Sequence, residues 1–347
     1  MSTSVIYALL AAALFGISTP FAKLLVGEVP PVLLGGMLYL GSGVGLLIVR
    51  LIRDGGWRAT GLLRADWPWL AGAILFGGVV GPVALMWGLT RTTGSAASLL
   101  LNLEAVLTAV IAWVAFKEHA DRRIVLGMLA IVAGGLVLSW PAKGLAGESD
   151  WLGPLAIAAA CLCWAIDNNL TRQVSASDAL FISGSKGLIA GTVNCALAMV
   201  LGAAWPAGST IISAMVVGLA GYGVSLVLFV LALRGLGTAR TGAYFSIAPF
   251  VGAALSIVLL GESTSPAFWL ACGLMALGVA LHLTERHEHT HTHDPLEHLH
   301  SHAHDEHHLH EHDFKWNGAE PHEHPHKHPV LTHRHPHYPD IHHRHSH

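Results

Sequence analysis

The chain has 347 residues, of which 53% are hydrophobic and only 12% are charged, with 19 Lys and Arg against 22 Asp and Glu for a net charge of −3. An ordinary soluble domain has roughly 25% charged residues, so this composition argues against a soluble enzyme and indicates a membrane protein. The four cysteines, Cys161, Cys163, Cys195 and Cys272, lie in apolar stretches. That position favours packing residues over disulfides or a cysteine zinc site.

Charge and histidine content divide the chain near residue 286. Residues 1–286 contain 15 Lys and Arg and 12 Asp and Glu, whereas residues 287–347 contain 4 and 10. Of the 25 histidines, 23 lie in the second segment. Because that segment has little apolar content to bury, we expect a disordered tail after an apolar body.

The apolar body contains runs long enough to cross about 30 Å of hydrocarbon as helices. The first run lacks a basic start and contains Pro20 and Lys23, which favours a retained helix over a cleaved signal peptide. The predicted fold class is an all-α membrane protein. Its ten transmembrane helices are predicted at 5–25, 32–52, 68–90, 93–116, 124–141, 152–172, 179–202, 211–233, 241–260 and 267–284.

Basic residues in the connections predict the orientation of these spans. Eleven lie in one set of alternate connections, and only Arg91 and Lys143 lie in the other. Cytoplasmic loops carry the excess of Lys and Arg. We therefore expect an inner-membrane protein with both termini, and hence the tail, in the cytoplasm.

The body contains an internal repeat of two five-span halves, predicted to cover 1–141 and 151–286. A shift of 144 residues aligns Glu118 with Glu262 and preserves the order of features around them. With an odd number of spans in each half, the second half would insert upside down relative to the first. Inverted repeats of this kind are typical of secondary transporters that work by alternating access.

The fourth and ninth spans carry a family resemblance. The runs GSAASLLLNLEAVLTAVIAWVAFKE (94–118) and TARTGAYFSIAPFVGAALSIVLLGE (238–262), with the glycine-bearing spans after them, resemble the fourth and fifth helices of the EamA-type repeat of the drug/metabolite transporter superfamily. The resemblance covers about residues 5–284. It implies a ten-helix carrier that exports metabolites, amino acids or toxic compounds.

Particular positions in these runs support or weaken the resemblance. Glu118 and Glu262 match the acid that ends the family's fourth helix, for which we favour a structural or gating role. Pro249 matches the proline expected inside the ninth helix, whereas the first half has Ala105, preceded by Glu104. The two halves therefore need not behave alike at this point.

Ionisable groups inside spans are candidate transport residues, because an acid or base at a helix centre costs ~2.5–3.5 kcal/mol on insertion. Glu104 lies mid-span beside Asn102. We interpret it as a substrate-facing or proton-carrying group. A structural pair with Lys186, or an acid that faces the lumen without function, are the alternatives.

The sixth span contains the polar stretch CWAIDNNLTR (163–172). Successive helical residues point about 100° apart, so its polar side chains cannot all face one direction. We expect Asp167 and Asn168 to line a central cavity, together with their repeat counterparts Ser18 and Thr19. The alternative is that these residues lie near the cytoplasmic end and reach water.

Lys186 lies about two turns into the seventh span, where the first half has Tyr39. It is predicted to pair with Glu104 or Asp167. Direct contact with an anionic group of the substrate is a second interpretation, and a side chain that reaches toward water is a third.

The tail repeats a His-x-His spacing with interleaved carboxylates. Neutral imidazole is a ligand for Zn, Ni and Co, and a flexible chain with many histidines can supply several sites. Metal buffering or delivery, a pH-responsive charge and a neutral appendage are the possible roles. The predicted metal ligands are His287, His289, His291, His293, His298, His300, His302, His304, His307, His308, His310 and His312.

These observations predict a secondary-active transporter, not an enzyme, that exports a small metabolite or toxic solute and requires no cofactor. Nothing in the sequence resembles an ATP-binding P-loop. The alternative is a transition-metal exporter whose tail captures Zn, Ni or Co, and a third hypothesis makes the body an anchor for a metal reservoir. The expected partners are the lipid bilayer and a small solute, not nucleic acid, because the tail is acidic. One sequence does not determine the oligomeric state.

Overall fold

The computed structural model describes residues 3–58, 60, 62–116, 122–140, 151–174, 177–283, 288–293, 296–302, 322–328 and 331–336. Contacts divide the chain into two units, Met1–Glu285 and Arg286–His347. The described part of the first unit is helical, and the described part of the second consists of short strands.

The helices of the first unit follow the predicted spans closely at most of their ends. They are α1 (Thr3–Leu25), α2 (Pro31–Asp54), α3 (Trp67–Ala73), α4 (Gly81–Arg91), α5 (Gly94–Leu100), α6 (Leu103–Phe116), α7 (Arg122–Ser139), α8 (Leu152–Val174), α9 (Ala179–Val200), α10 (Gly208–Gly218), α11 (Ser225–Phe245), α12 (Ala248–Leu260) and α13 (Pro266–Leu283), with a 3₁₀ turn at Arg64–Asp66.

Seven helical segments in the described part of the chain are long and apolar enough to cross a membrane. Two shorter apolar helices, Ala248–Leu260 and Pro266–His282, follow them. The chain is therefore a multi-pass membrane protein. The count of ten spans and the inverted orientation of the halves stay predictions.

The fourth and ninth predicted spans are each interrupted by a short break in the helix. α5 ends at Leu100 before α6 begins, and α11 ends at Phe245 before α12 begins. A short polar side chain lies at each break: Asn102 Nδ2 donates to the carbonyl of Leu99 at 2.9 Å, and Ser246 Oγ donates to that of Gly242 at 2.8 Å. Such local bonds compete with the helical ladder.

The sequence predicts a connection at 234–240 between the eighth and ninth spans. In the structure this segment is helical, because α11 continues through it to Phe245. The helix includes the glycines at 235 and 237. A glycine costs a helix only about 1 kcal/mol relative to alanine, which lowers helix propensity without ending the helix.

The third and eighth spans each contain a π-helical segment. These segments are Ile74–Val80, between α3 and α4, and Leu219–Val224, between α10 and α11. They lie 144–145 residues apart, so they occupy equivalent places in the two halves. π-segments of this length are uncommon and occur frequently at functional sites.

Glycines bring the backbones of α2 and α9 into contact. A Cβ atom at Gly43 would lie 2.2 Å from the nitrogen of Leu188, and one at Gly187 would lie 2.4 Å from the nitrogen of Gly43. α7 and α13 meet in the same way, at Gly127 and Gly278. Small residues at such contacts let helices approach closely in lipid.

The second unit contains four strands, β1 (Glu288–His293), β2 (Leu296–His302), β3 (His322–His328) and β4 (Leu331–Pro336). β1 pairs antiparallel with β4, and β2 pairs antiparallel with β3. The prediction of a tail without regular structure differs from the structure at these segments. Their His-x-His alternation has the two-residue period of a strand, which the composition of the tail does not reveal.

Candidate transport site

A buried ion pair joins α8 and α9. Lys186 Nζ lies 2.6 and 2.7 Å from the two carboxylate oxygens of Asp167. Lys186 is 2% exposed and Asp167 is 6% exposed. Thr171, one turn after Asp167, donates its hydroxyl to Asp167 Oδ1 at 2.8 Å and accepts from Lys186 Nζ at 3.3 Å. The charges are therefore held by a third polar group as well as by each other.

The first π-segment packs directly against this pair. A Cβ atom at Gly77 would lie 1.9 Å from Asp167 Oδ2, so a glycine is needed for the carboxylate to occupy its place. Gly77 belongs to the first half of the chain and Asp167 to the second. The pair is thus built on one half and enclosed by the other.

Backbone carbonyls of the π-segment accept hydrogen bonds from side chains of three other helices. Tyr39 on α2 and Trp164 on α8 donate to the carbonyl of Gly77 at 2.7 and 3.0 Å. Asn194 on α9 donates to the carbonyls of Gly78 and Val79, each at 3.2 Å. In a membrane interior each buried carbonyl needs a partner within the protein, so these side chains compensate for the irregular backbone.

Glu104 contributes a second carboxylate beside the ion pair. It lies on α6, just after the break, and accepts a hydrogen bond from Asn168 Nδ2 at 2.8 Å. Both side chains are partly exposed, unlike Asp167 and Lys186. Of the two partners that the sequence leaves open for Lys186, the structure gives it Asp167.

Four of the predicted site residues therefore form one cluster, in which Glu104 comes from the first half and Asp167, Asn168 and Lys186 come from the second. We call these four residues the polar cluster. It contains two carboxylates and one ammonium group. Its members come from three helices, α6, α8 and α9, so relative movement of these helices would change it.

The remaining predicted residues occupy other places. Ser18 on α1 is 3% exposed and donates to the carbonyl of Phe15 at 2.6 Å, and Thr19 is 2% exposed. Asn102 is buried at the break, where Nδ2 also lies 3.8 Å from the sulfur of Met275 on α13. The structure thus assigns Asn102 to the helix break and Ser18 to contacts with the second π-segment.

Ser18 packs against the second π-segment as Asp167 packs against the first. A Cβ atom at Gly221, in the second π-segment, would lie 2.3 Å from Ser18 Cβ. The repeat shifts relate Ser18 to Asp167 and Gly221 to Gly77. The same contact therefore occurs twice, with a carboxylate in one copy and a hydroxyl in the other.

Aromatic rings of α1, α2 and α8 contact one another and Tyr222 of the second π-segment. The rings of Tyr39 and Tyr222 are 5.4 Å apart, and Phe15 contacts Trp164 and Tyr222 edge-on at 5.9 and 5.8 Å. No role is predicted from the sequence for Trp164, Tyr222 or Thr171. Thr171 was detectable from its spacing of four residues from Asp167, but nothing in the sequence indicates that these aromatic residues meet.

Charged side chains of α1 and of the segment after α12 contact the turn between α4 and α5. Glu262 accepts from the backbone nitrogens of Gly94 and Ser95 at 2.7 and 2.8 Å. Lys23 donates to the carbonyls of Leu89 and Thr92 at 2.5 and 2.7 Å. Glu262 thus caps the start of α5, a structural role of the predicted kind, and its counterpart at position 118 lies outside the described residues.

Asp178, which precedes α9, pairs with two arginines of α2. Arg50 Nε and Arg53 Nη2 lie 3.0 and 2.6 Å from Asp178 Oδ2. Burial alone would raise the pKa of Asp178, but hydrogen bonds from Arg53 and Arg50 outweigh it and leave the pKa below its ordinary value. The carboxylate also accepts from the backbone nitrogen of Leu180 at 3.0 Å, which caps α9.

The predicted metal ligands lie in the second unit. Among the residues whose side chains are described, no group of three His, Cys, Asp or Glu is close enough to hold a metal ion. Six of the predicted ligands occupy β1 and β2: His289, His291, His293, His298, His300 and His302. The other six lie outside the described residues: His287, His304, His307, His308, His310 and His312.

Comparison with known proteins identifies the family of the helical body. Residues 2–140 and 151–284 each match the model of the EamA-like transporter family. An uncharacterized transporter of Methanothermobacter thermautotrophicus is 27% identical over 269 residues, which cover 72% of this chain and 77% of that protein.

Two further comparisons are a sequence match to a shorter segment and a superposition with a solved structure. A probable 4-amino-4-deoxy-L-arabinose-phosphoundecaprenol flippase subunit ArnE of Pseudomonas paraeruginosa is 39% identical over 89 residues, which are 26% of this chain and 73% of that protein. One solved crystal structure superposes with a TM-score of 0.62 at 21% identity, over 81% of this chain and 95% of the other. At that identity, the second likeness concerns the fold alone.

Proposed function

The chain belongs to the EamA-like transporter family, and we propose that it exports a small organic solute across the inner membrane by alternating access. In this proposal the two five-helix halves are inverted repeats that rock about the polar cluster, and both termini are cytoplasmic. The observation that carries the proposal is the buried Asp167–Lys186 pair beside the Glu104 carboxylate, enclosed by helices of both halves.

The cost of these groups supports a role in transport. Charged groups inside a membrane protein are expensive to bury and are characteristic of substrate and ion pathways. A purely structural pair would need no further carboxylate beside it, yet Glu104 lies next to it and accepts a hydrogen bond from the amide of Asn168. We propose that Glu104 contacts the solute or carries the exchanged proton, while Lys186 and Asp167 respond to the change in charge.

The interrupted helices supply places where the halves can bend. Irregular backbone at membrane depth is tolerated where it is enclosed by protein or lines a cavity, and discontinuous helices form the binding sites of many secondary transporters. The breaks at Asn102 and Ser246 and the two π-segments occur in equivalent places of both halves. We propose that α5–α6 and α11–α12 change their relative angle as access alternates.

The tail is proposed to bind Zn, Ni or Co in the cytoplasm and to regulate or supply the transporter. Its support is the number and spacing of its histidines, since imidazole is a good ligand for these ions. The alternative, export of the metal ion itself, would require the tail to deliver the ion to the helical body.

Flux into proteoliposomes distinguishes these functions. The full chain and a version that ends at Arg286 are each assayed with radiolabelled amino acids, sugars and organic amines, with a lipid-linked sugar and with radioactive Zn²⁺. Export of an organic solute by both versions supports the proposal. Zn²⁺ flux that disappears on truncation would instead select the metal exporter. Movement of a lipid-linked sugar alone would place the chain with the ArnE relatives.

A further inference from the structure

The strand register of the tail places histidines opposite histidines. In β1 and β4, His289 is the register partner of His335 and His291 is the partner of His333. We call these two rungs the outer ladder. Neither histidine of β4 was among the ligands that the sequence predicted.

The second pair of strands shows the same pattern over three rungs. His298 pairs with His326, His300 with His324 and His302 with His322, and we call these rungs the inner ladder. At its end, Leu296 is the partner of His328.

Register determines that these histidines share a face. Successive strand residues alternate between the two faces of a sheet, and directly opposed residues lie on the same face. In each strand pair every histidine falls on one face. The register partners on the other face are other residues, such as Glu297 opposite Lys327 and Thr290 opposite Arg334. A slip of one residue in either pairing would move one strand's histidines to the opposite face.

We propose that each ladder is a separate site for a divalent transition-metal ion of the Zn and Ni class. This inference rests on the proposed metal binding by the tail, and it names the ligands. Opposed residues of an antiparallel pair have Cβ atoms about 4.5–5.5 Å apart, and a zinc site uses four ligands. Two adjacent rungs supply four histidines. The two rungs of the outer ladder therefore supply the ligands of one zinc site, and the three rungs of the inner ladder supply one such set and one further pair.

The test exchanges two neighbouring residues of β1 in the full-length protein. Thr290→His combined with His291→Thr keeps all 23 tail histidines but moves one imidazole to the other face of the outer ladder. A second variant, His291→Asn with His333→Asn, removes one rung. Its matched control, His308→Asn with His310→Asn, removes two histidines that belong to neither ladder.

Calorimetry with Zn²⁺ alone, in detergent, measures the number of ions bound and the affinity of each site. We expect the exchange and the rung variant each to lose one tight site, or to weaken it about tenfold or more (~1.4 kcal/mol), and the control to bind as the unaltered chain does. Unchanged binding by the exchange variant would overturn the ladders while leaving the tail a metal binder. If the full chain binds no more Zn²⁺ than the version ending at Arg286, metal binding by the tail fails as well.

Discussion

Asp167 occupies the space that a side chain at Gly77 would fill, since a Cβ atom there would lie 1.9 Å from Asp167 Oδ2. The glycine of the π-segment and the buried acid therefore depend on each other. Because Gly77 and Asp167 come from different halves of the chain, this contact couples the two halves at the polar cluster.

Gly77→Ala should disturb that contact. Forcing a methyl group into a well-packed interior typically costs about 1–3 kcal/mol, so we expect a lower melting temperature in detergent and reduced flux. Gly273→Ala is the matched control, because a Cβ atom at Gly273 meets nothing within 4 Å. Equal melting temperatures for the two variants would contradict the close packing at Gly77.

The Asp167–Lys186 pair should show strong coupling in a double-mutant cycle. Removal of one partner of a buried pair leaves an uncompensated charge and costs about 3–5 kcal/mol, so Asp167→Asn and Lys186→Met should each lower the amount of folded protein. The double variant should recover much of that stability without recovering flux. Full flux in a well-folded double variant would show that the pair is only structural.

Glu262→Gln should weaken the cap on α5. Loss of a helix cap costs about 0.5–2 kcal/mol, and the charged acceptor is replaced by a neutral one. Thermal unfolding in detergent measures the change, with the exposed Glu28→Gln as the control. A shift no larger than that of the control would mean that the contacts with Gly94 and Ser95 contribute little.

Asp178 should make stability depend on pH. Its pKa is lower in the folded protein than its ordinary value, so its contribution is present above the unfolded pKa of about 3.9 and is lost as the pH falls through the folded value. In Asp178→Asn, which keeps the cap on Leu180, we expect a smaller loss of melting temperature between about pH 7 and pH 3. The same loss in both proteins would contradict this assignment.

The span positions were predictable from hydrophobicity because each run of apolar residues must be long enough to cross the bilayer. The breaks at Asn102 and Ser246 were not, since they depend on one local hydrogen bond within an otherwise apolar run. Glu104, Asp167 and Lys186 were identifiable as costly groups. Which of them pair depends on how α6, α8 and α9 pack, and this packing leaves no signal in a single sequence.

In the tail as well, composition predicts which residue types matter, but not which residues lie opposite each other. The number and spacing of the histidines predict metal binding by the tail, and the predicted ligands end at His312. The proposed ladders also use histidines of β3 and β4. The pairing of His291 with His333 joins positions that are distant in the chain, and register is a property of the paired strands that spacing within one strand does not determine.

Solute flux by Glu104→Gln tests the role of the polar cluster in transport most directly. The variant is reconstituted at the same protein amount as the unaltered chain and as Glu28→Gln. The amide keeps the shape and the hydrogen bond from Asn168 but removes the charge. We predict a loss of flux of about tenfold or more, which is ~1.4 kcal/mol, with an unchanged melting temperature and full activity of the control. Flux equal to that of the unaltered chain would contradict a role of the polar cluster in transport.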